Sequence, residues 1–184
     1  MIRQFKPALL FLAKFLGIYV LGNLFYGFFI SYFLPQADPA THWVSQQVAD
    51  ILTAWGNKVI TFVNVNARVS LMEVATNNVV INVFEGCNGI NVMVVLVAFL
   101  VAYQGTLKRT IVYSLAGIII IHISNLTRLL ILFHQAKIDS PYFYYFHKYL
   151  FTAVIYFVVL LLWVGWVWKF NGKQNDHTSE AAMA

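Results

Sequence analysis

Residues 110–133 read TIVYSLAGIIIIHISNLTRLLILF. One formal charge, Arg128, interrupts this run. As an α-helix the stretch is about 36 Å long, enough to cross a hydrocarbon layer of about 30 Å. A helix this apolar on every side does not stand in water, so the surrounding sequence is read with lipid as the solvent. Three more apolar runs lie on either side of it, at 7–34, 88–104 and 148–168. The first follows Arg3 and Lys6 and stops at Pro35. It is too long for a signal-peptide core of about 7 to 15 residues and is read as an uncleaved span.

Composition agrees. Hydrophobic residues make up 60% of the 184 and charged residues 10%, against about 25% charge in an average soluble domain. Mean hydropathy is +0.72. The expected fold is an all-α membrane protein of about four transmembrane helices, a single integral membrane domain over 1–170, with a polar tail at 171–184 expected to be disordered. No separate soluble catalytic domain fits beside four spans, and the single cysteine leaves no partner for a disulfide or a CxxC centre.

The net charge of +5 raises the question of nucleic acid, and its distribution answers it. Arg3 and Lys6, Lys108 and Arg109, and Lys169 and Lys173 all fall on one side of the four expected spans, where a surplus of five positive charges collects. The opposite side is balanced. By the positive-inside rule both termini are cytoplasmic, in a cell (inner) membrane, and no nucleic-acid partner is expected.

The segment 35–86 then faces outward. Val48, Ile51, Leu52 and Trp55 have the spacing of an amphipathic helix lying on the membrane surface. Beyond it, Val69–Val74 and Val79–Phe84 flank Thr76-Asn77-Asn78, predicting a small β-hairpin.

Ionisable side chains are costly inside a bilayer, so each needs a reason. Counted from Lys108, Arg109 and Lys169, the residues Cys87, Arg128 and His147 all lie about 28 to 33 Å away along their helices. They share one depth at the outer rim and come from three helices. A thiol is a nucleophile as the thiolate, imidazole exchanges protons near neutral pH, and a guanidinium stabilises a thiolate or an oxyanion. A lone membrane Cys is usually a small buried hydrophobe, an Arg near a helix end can simply reach headgroups, and His147 sits in an aromatic run typical of an interfacial belt. Coincidence of depth favours the catalytic reading. Arg128 and the helix N-terminus beside Cys87 predict a lowered thiol pKa, with Glu85 opposing them. His122 falls mid-membrane and reads as a packing residue; His134 sits on another helix face from Arg128.

Glu85-Gly86-Cys87-Asn88-Gly89-Ile90, Asn125-Leu126-Thr127-Arg128-Leu129-Leu130 and Phe146-His147-Lys148-Tyr149-Leu150-Phe151 together resemble the exosortase/archaeosortase family of membrane transpeptidases, and most nearly its short exosortase F type. The resemblance covers about residues 83–168. It implies a cysteine peptidase/transpeptidase that cleaves a C-terminal sorting signal through a thioester, with Cys87 as nucleophile and Arg128 and His147 as partners. Glu85, Asn88 and Asn125 would support the site or hold substrate. The implied partners are exported proteins carrying a C-terminal signal helix, with membrane lipids and a dedicated accessory protein; no cofactor or metal is called for. The rival reading is a non-catalytic scaffold or assembly subunit that binds a partner through the outward segment.

Overall fold

The computed structural model describes residues 2–64, 66–103, 105–138, 145 and 149–181, with side chains within residues 5–169 of these. The elements are α1 (Ile2–Phe33), α2 (Pro39–Ala54), β1 (Val59–Asn64), β2 (Arg68–Glu73), β3 (Asn78–Val83), a 3-10 turn (Glu85–Cys87), α3 (Ile90–Ala102), α4 (Leu107–Lys137) and α5 (Phe151–Ala181).

Three helices are long and apolar enough to cross a membrane, over Phe5–Phe33, Leu107–Lys137 and Phe151–Lys169. The expected fourth span at 88–104 is α3, whose 13 residues extend about 20 Å, short of a hydrocarbon layer. The shortening has a local cause. Gly89 takes the left-handed backbone conformation at φ 85° immediately before the helix, and Tyr103 leaves helical geometry after it. α5 continues to Ala181, over a stretch read from the sequence as a disordered tail.

The four helices pack around a membrane-level core of Leu96 and Leu100 from α3, Ile121 from α4, and Val159 and Trp166 from α5. α1 joins it through rings: Phe15 meets Phe99 and Trp163 edge-on, and Phe99 stacks on Trp163 at 4.4 Å. Such aromatic pairs add about 0.5 to 1.5 kcal/mol beyond area burial. The other face of α1 leaves Phe25, Phe28 and Tyr32 exposed, as a lipid-facing helix does.

At one end the bundle carries a cap of α2 and an antiparallel sheet in the order β1-β2-β3. The predicted hairpin is β2 and β3, within a residue at each boundary, and β1 adds a third strand that the sequence reading did not assign. Leu71 pairs with Ile81 and Met72 with Val79, so Val80 is a bulge. The bulge keeps Ile81 and Val83 on the inner face with Val69 and Leu71, all buried. Leu71, Ile81 and Val83 form one core with Val44, Val48 and Leu52 of α2, Leu129, Leu132 and Phe133 of α4, and Phe151 of α5.

Asp38 starts α2 by accepting from the backbone N–H groups of Ala40 and Thr41, each at 3.0 Å, and Pro39 occupies the first helical position, where a missing N–H costs nothing. α2 packs its apolar face on the sheet and on α4. Trp43 stacks on His122 with ring centres 5.0 Å apart, and Gln47 Oε1 is 2.9 Å from His122 Nε2. His122 is therefore engaged in packing α2 against α4. At the top, the Lys137 ammonium donates to Glu73 at 2.6 Å, tying α4 to the sheet and holding the Glu73 carboxyl below its usual range.

Candidate active site

The turn after β3 brings Cys87 against α4. Arg128 Nη2 lies 3.9 Å from Cys87 Sγ. Asn125, one helical turn earlier and fully buried, donates from Nδ2 to the Cys87 carbonyl at 2.9 Å. Its Oδ1 takes a long 3.5 Å contact from Arg128 Nη1. Asn125 thus fixes both the backbone of the thiol-bearing residue and the guanidinium facing it. Gly89 makes this approach possible: a Cβ there would stand 3.3 Å from the Asn125 side chain, on a backbone that L residues rarely adopt.

Asn88 anchors the turn from the other side. Its Oδ1 accepts from the Ile90 N–H at 3.0 Å, opening α3. Its Nδ2 donates to the Tyr26 hydroxyl of α1 and, at 3.0 Å, to Thr41 Oγ1. Thr41 donates in turn to the buried Asp38 carboxylate at 2.5 Å. A continuous polar chain therefore links the cysteine turn to α1 and α2, and each member is satisfied in a low-dielectric setting where an orphan costs about 1 to 3 kcal/mol. The Glu85 carbonyl accepts from the Tyr26 hydroxyl at 3.4 Å. Tyr26, Thr41 and Asp38 were not singled out in the sequence; Tyr26 and Thr41 lie 62 and 47 residues from Asn88, a separation no local pattern reports, and Asp38 joins the chain only through Thr41.

Arg128 carries spare capacity. Its Nε is buried with no hydrogen-bond partner, and no carboxylate pairs with its guanidinium among the described residues. Beside the thiol lies a cavity of about 270 Å³ walled by Val80, Ile81 and Val83 of β3 and Leu129 and Leu132 of α4. A thiol, a cation with unused donors and an apolar hollow thus meet at one place. His134 lines a different cavity, with Trp55 and Lys137. His147 lies outside the described residues.

The expectation of a lowered thiol pKa is corrected. Cys87 is 2% exposed within the cap core, and this burial pushes its pKa up; Arg128 and a backbone hydrogen bond at Phe84 draw it back without reversing the shift, and Glu85 adds to the rise. Loss of water disfavours the thiolate more than one guanidinium at 3.9 Å favours it. The alkylation rate of Cys87 by a small permeant reagent should therefore have its pH midpoint above the free-thiol value of about 8.5. Arg128→Gln should raise that midpoint further. A midpoint below the free value, or a downward move in the variant, contradicts this electrostatic account.

The family model described as Transmembrane exosortase (Exosortase_EpsH) matches residues 6–165, which include Cys87, Asn88, Asn125, Arg128 and His147. Neither the curated proteins nor the solved structures contain a match.

Proposed function

Since the chain belongs to the transmembrane exosortase family, we propose that this multi-pass membrane protein is a cysteine peptidase/transpeptidase acting on the C-terminal signal helix of exported proteins. The observation that carries the reading is the Arg128 guanidinium, free of any carboxylate among the described residues, held 3.9 Å from the Cys87 thiol beside a cavity.

In this mechanism His147 takes the Cys87 proton as the thiolate attacks the carbonyl carbon of the scissile peptide bond. Arg128 receives the oxyanion of the tetrahedral intermediate through its unused N–H groups. Collapse breaks the C–N bond, and His147 returns the proton to the leaving amine. The product is a thioester on Cys87. An amine or water then attacks that carbonyl and releases the thiol. Asn125 and Asn88 position the turn, and Glu85 stands at its entrance. The raised thiol pKa makes proton removal a concerted step with attack, which is what a neighbouring imidazole supplies. The capped end faces outward; α3, though short, leads the chain from the Cys87 turn back to the opposite end, where Gly105 meets Trp166, so that α1, α3, α4 and α5 together leave both termini cytoplasmic, in the cell membrane.

The burial of Cys87 also favours a second reading, in which the thiol is inert and the cap is a scaffold that binds a partner. Comparison of exported-protein C-termini in the native host by mass spectrometry, between a wild-type strain and strains carrying His147→Ala or His134→Ala, separates the two. We expect truncated C-termini in the wild type, their loss with His147→Ala and their retention with His134→Ala. Identical C-termini in all three strains overturn the enzyme, and loss confined to His134→Ala overturns the assignment of His147.

A further inference from the structure

The end of the bundle away from Cys87 holds a larger hollow. Between α4 and α5 lies a cavity of about 620 Å³ with Lys108, Arg109 and Lys169 at its walls, a size within the range of small-molecule sites. Below the cations the lining is Val112 and Ala116 of α4 and Trp166 of α5. Lys108, Val112 and Ala116 recur at every fourth residue and so stand on one face of α4, as a charge at the head of an apolar ladder. Tyr113 closes the back: its hydroxyl donates to the Leu162 carbonyl at 2.8 Å, and its ring meets Trp166 at 5.0 Å.

We propose that this groove holds one anionic phospholipid, with its phosphate among Lys108, Arg109 and Lys169 and an acyl chain along Val112, Ala116 and Trp166. Two features select the occupant. The three cations have no acidic partner among the described residues, since the single ion pair there joins Lys137 to Glu73 at the opposite end. Three uncompensated charges favour a headgroup of net negative charge over one whose phosphate is already balanced by its own ammonium. The apolar ladder, in turn, has nothing to offer a free anion. Cations near an anionic surface each favour a negatively charged headgroup, so the preference for anionic over zwitterionic lipid is expected to exceed about tenfold. The site is separate from the chemistry at Cys87 and does not depend on it.

Native mass spectrometry of the full chain in neutral detergent, offered equal phosphatidylglycerol and phosphatidylcholine, reads the preference directly. The wild type should retain phosphatidylglycerol at least about tenfold more often. Lys108→Gln/Arg109→Gln/Lys169→Gln should lose that preference, while Lys6→Gln/Lys14→Gln, which removes the same kind of charge from α1, should keep it. Ala116→Trp leaves all three cations in place and fills the groove; it should also lose the lipid, and it serves if the triple variant does not fold. Equal retention of both lipids, or a preference that survives both groove variants, overturns the proposal. Displacement by millimolar inorganic phosphate identifies a free-anion site and overturns it as well.

Discussion

Cys87→Ala should lower C-terminal processing by at least about three orders of magnitude, the scale on which removal of a covalent nucleophile acts. Cys87→Ser should fall nearly as far, since a hydroxyl is a far weaker nucleophile under the same base. The fold gives the control. Cys87 packs in the cap core among Leu129, Leu132 and Val83, so alanine removes one buried sulfur atom and costs about 1 kcal/mol of stability, whereas serine keeps the volume and places a hydroxyl there. Both proteins should therefore be recovered folded, as judged by thermal unfolding in detergent. Processing at the wild-type rate in either would make Cys87 a packing residue.

Arg128 carries the second large effect. Removing an oxyanion donor costs about 10²- to 10³-fold in turnover, and Arg128→Ala should lose that much in kcat with little change in KM. Arg128→Lys keeps the charge and loses the planar fork that reaches Cys87 Sγ and Asn125 Oδ1 together, so it should recover only part of the rate. Stability is the discriminating readout. Arg128 brings a buried, unpartnered Nε into the protein, and taking it away relieves a desolvation cost, so a merely structural role would show as a fall in melting temperature and the catalytic role would not. A change confined to KM would assign Arg128 to substrate binding.

The sequence was most informative where chemistry and periodicity coincide. The run 110–133 falls inside α4 because no polar face interrupts it, and Val48, Ile51 and Leu52 place α2 by spacing alone. Alternation around Thr76-Asn77-Asn78 places β2 and β3. β1 went unassigned because its link to β2, from Asn64 to Arg68, lacks a strong turn dipeptide, although the strand itself is almost wholly apolar or β-branched. The length of α3 was overread by two residues at each end, because Asn88, Gly89, Tyr103 and Gln104 were counted into the apolar run.

Within the site, common depth found Cys87 and Arg128, which meet at 3.9 Å, and the family resemblance marked Asn88 and Asn125. The Tyr26, Thr41 and Asp38 chain was beyond reach, since it exists only once α1, α2 and the cysteine turn have met. The sign of the thiol shift was misjudged for a related reason. Charge is written in the sequence, but the water excluded by α2 and the sheet is a product of their packing.

That packing also sets an order of events during synthesis. The core around Cys87 is closed by Leu129, Leu132, Phe133 and Phe151, all of which follow it in the chain. At about 5 to 20 residues per second, the interval between making Cys87 and making Phe151 is roughly 3 to 13 seconds. A thiol that ends almost wholly covered thus spends several seconds open, with neither its arginine nor its lid in place. Oxidation of the nascent chain competes most strongly in that interval, and the rate at which α4 enters and docks sets how long the thiol stays open.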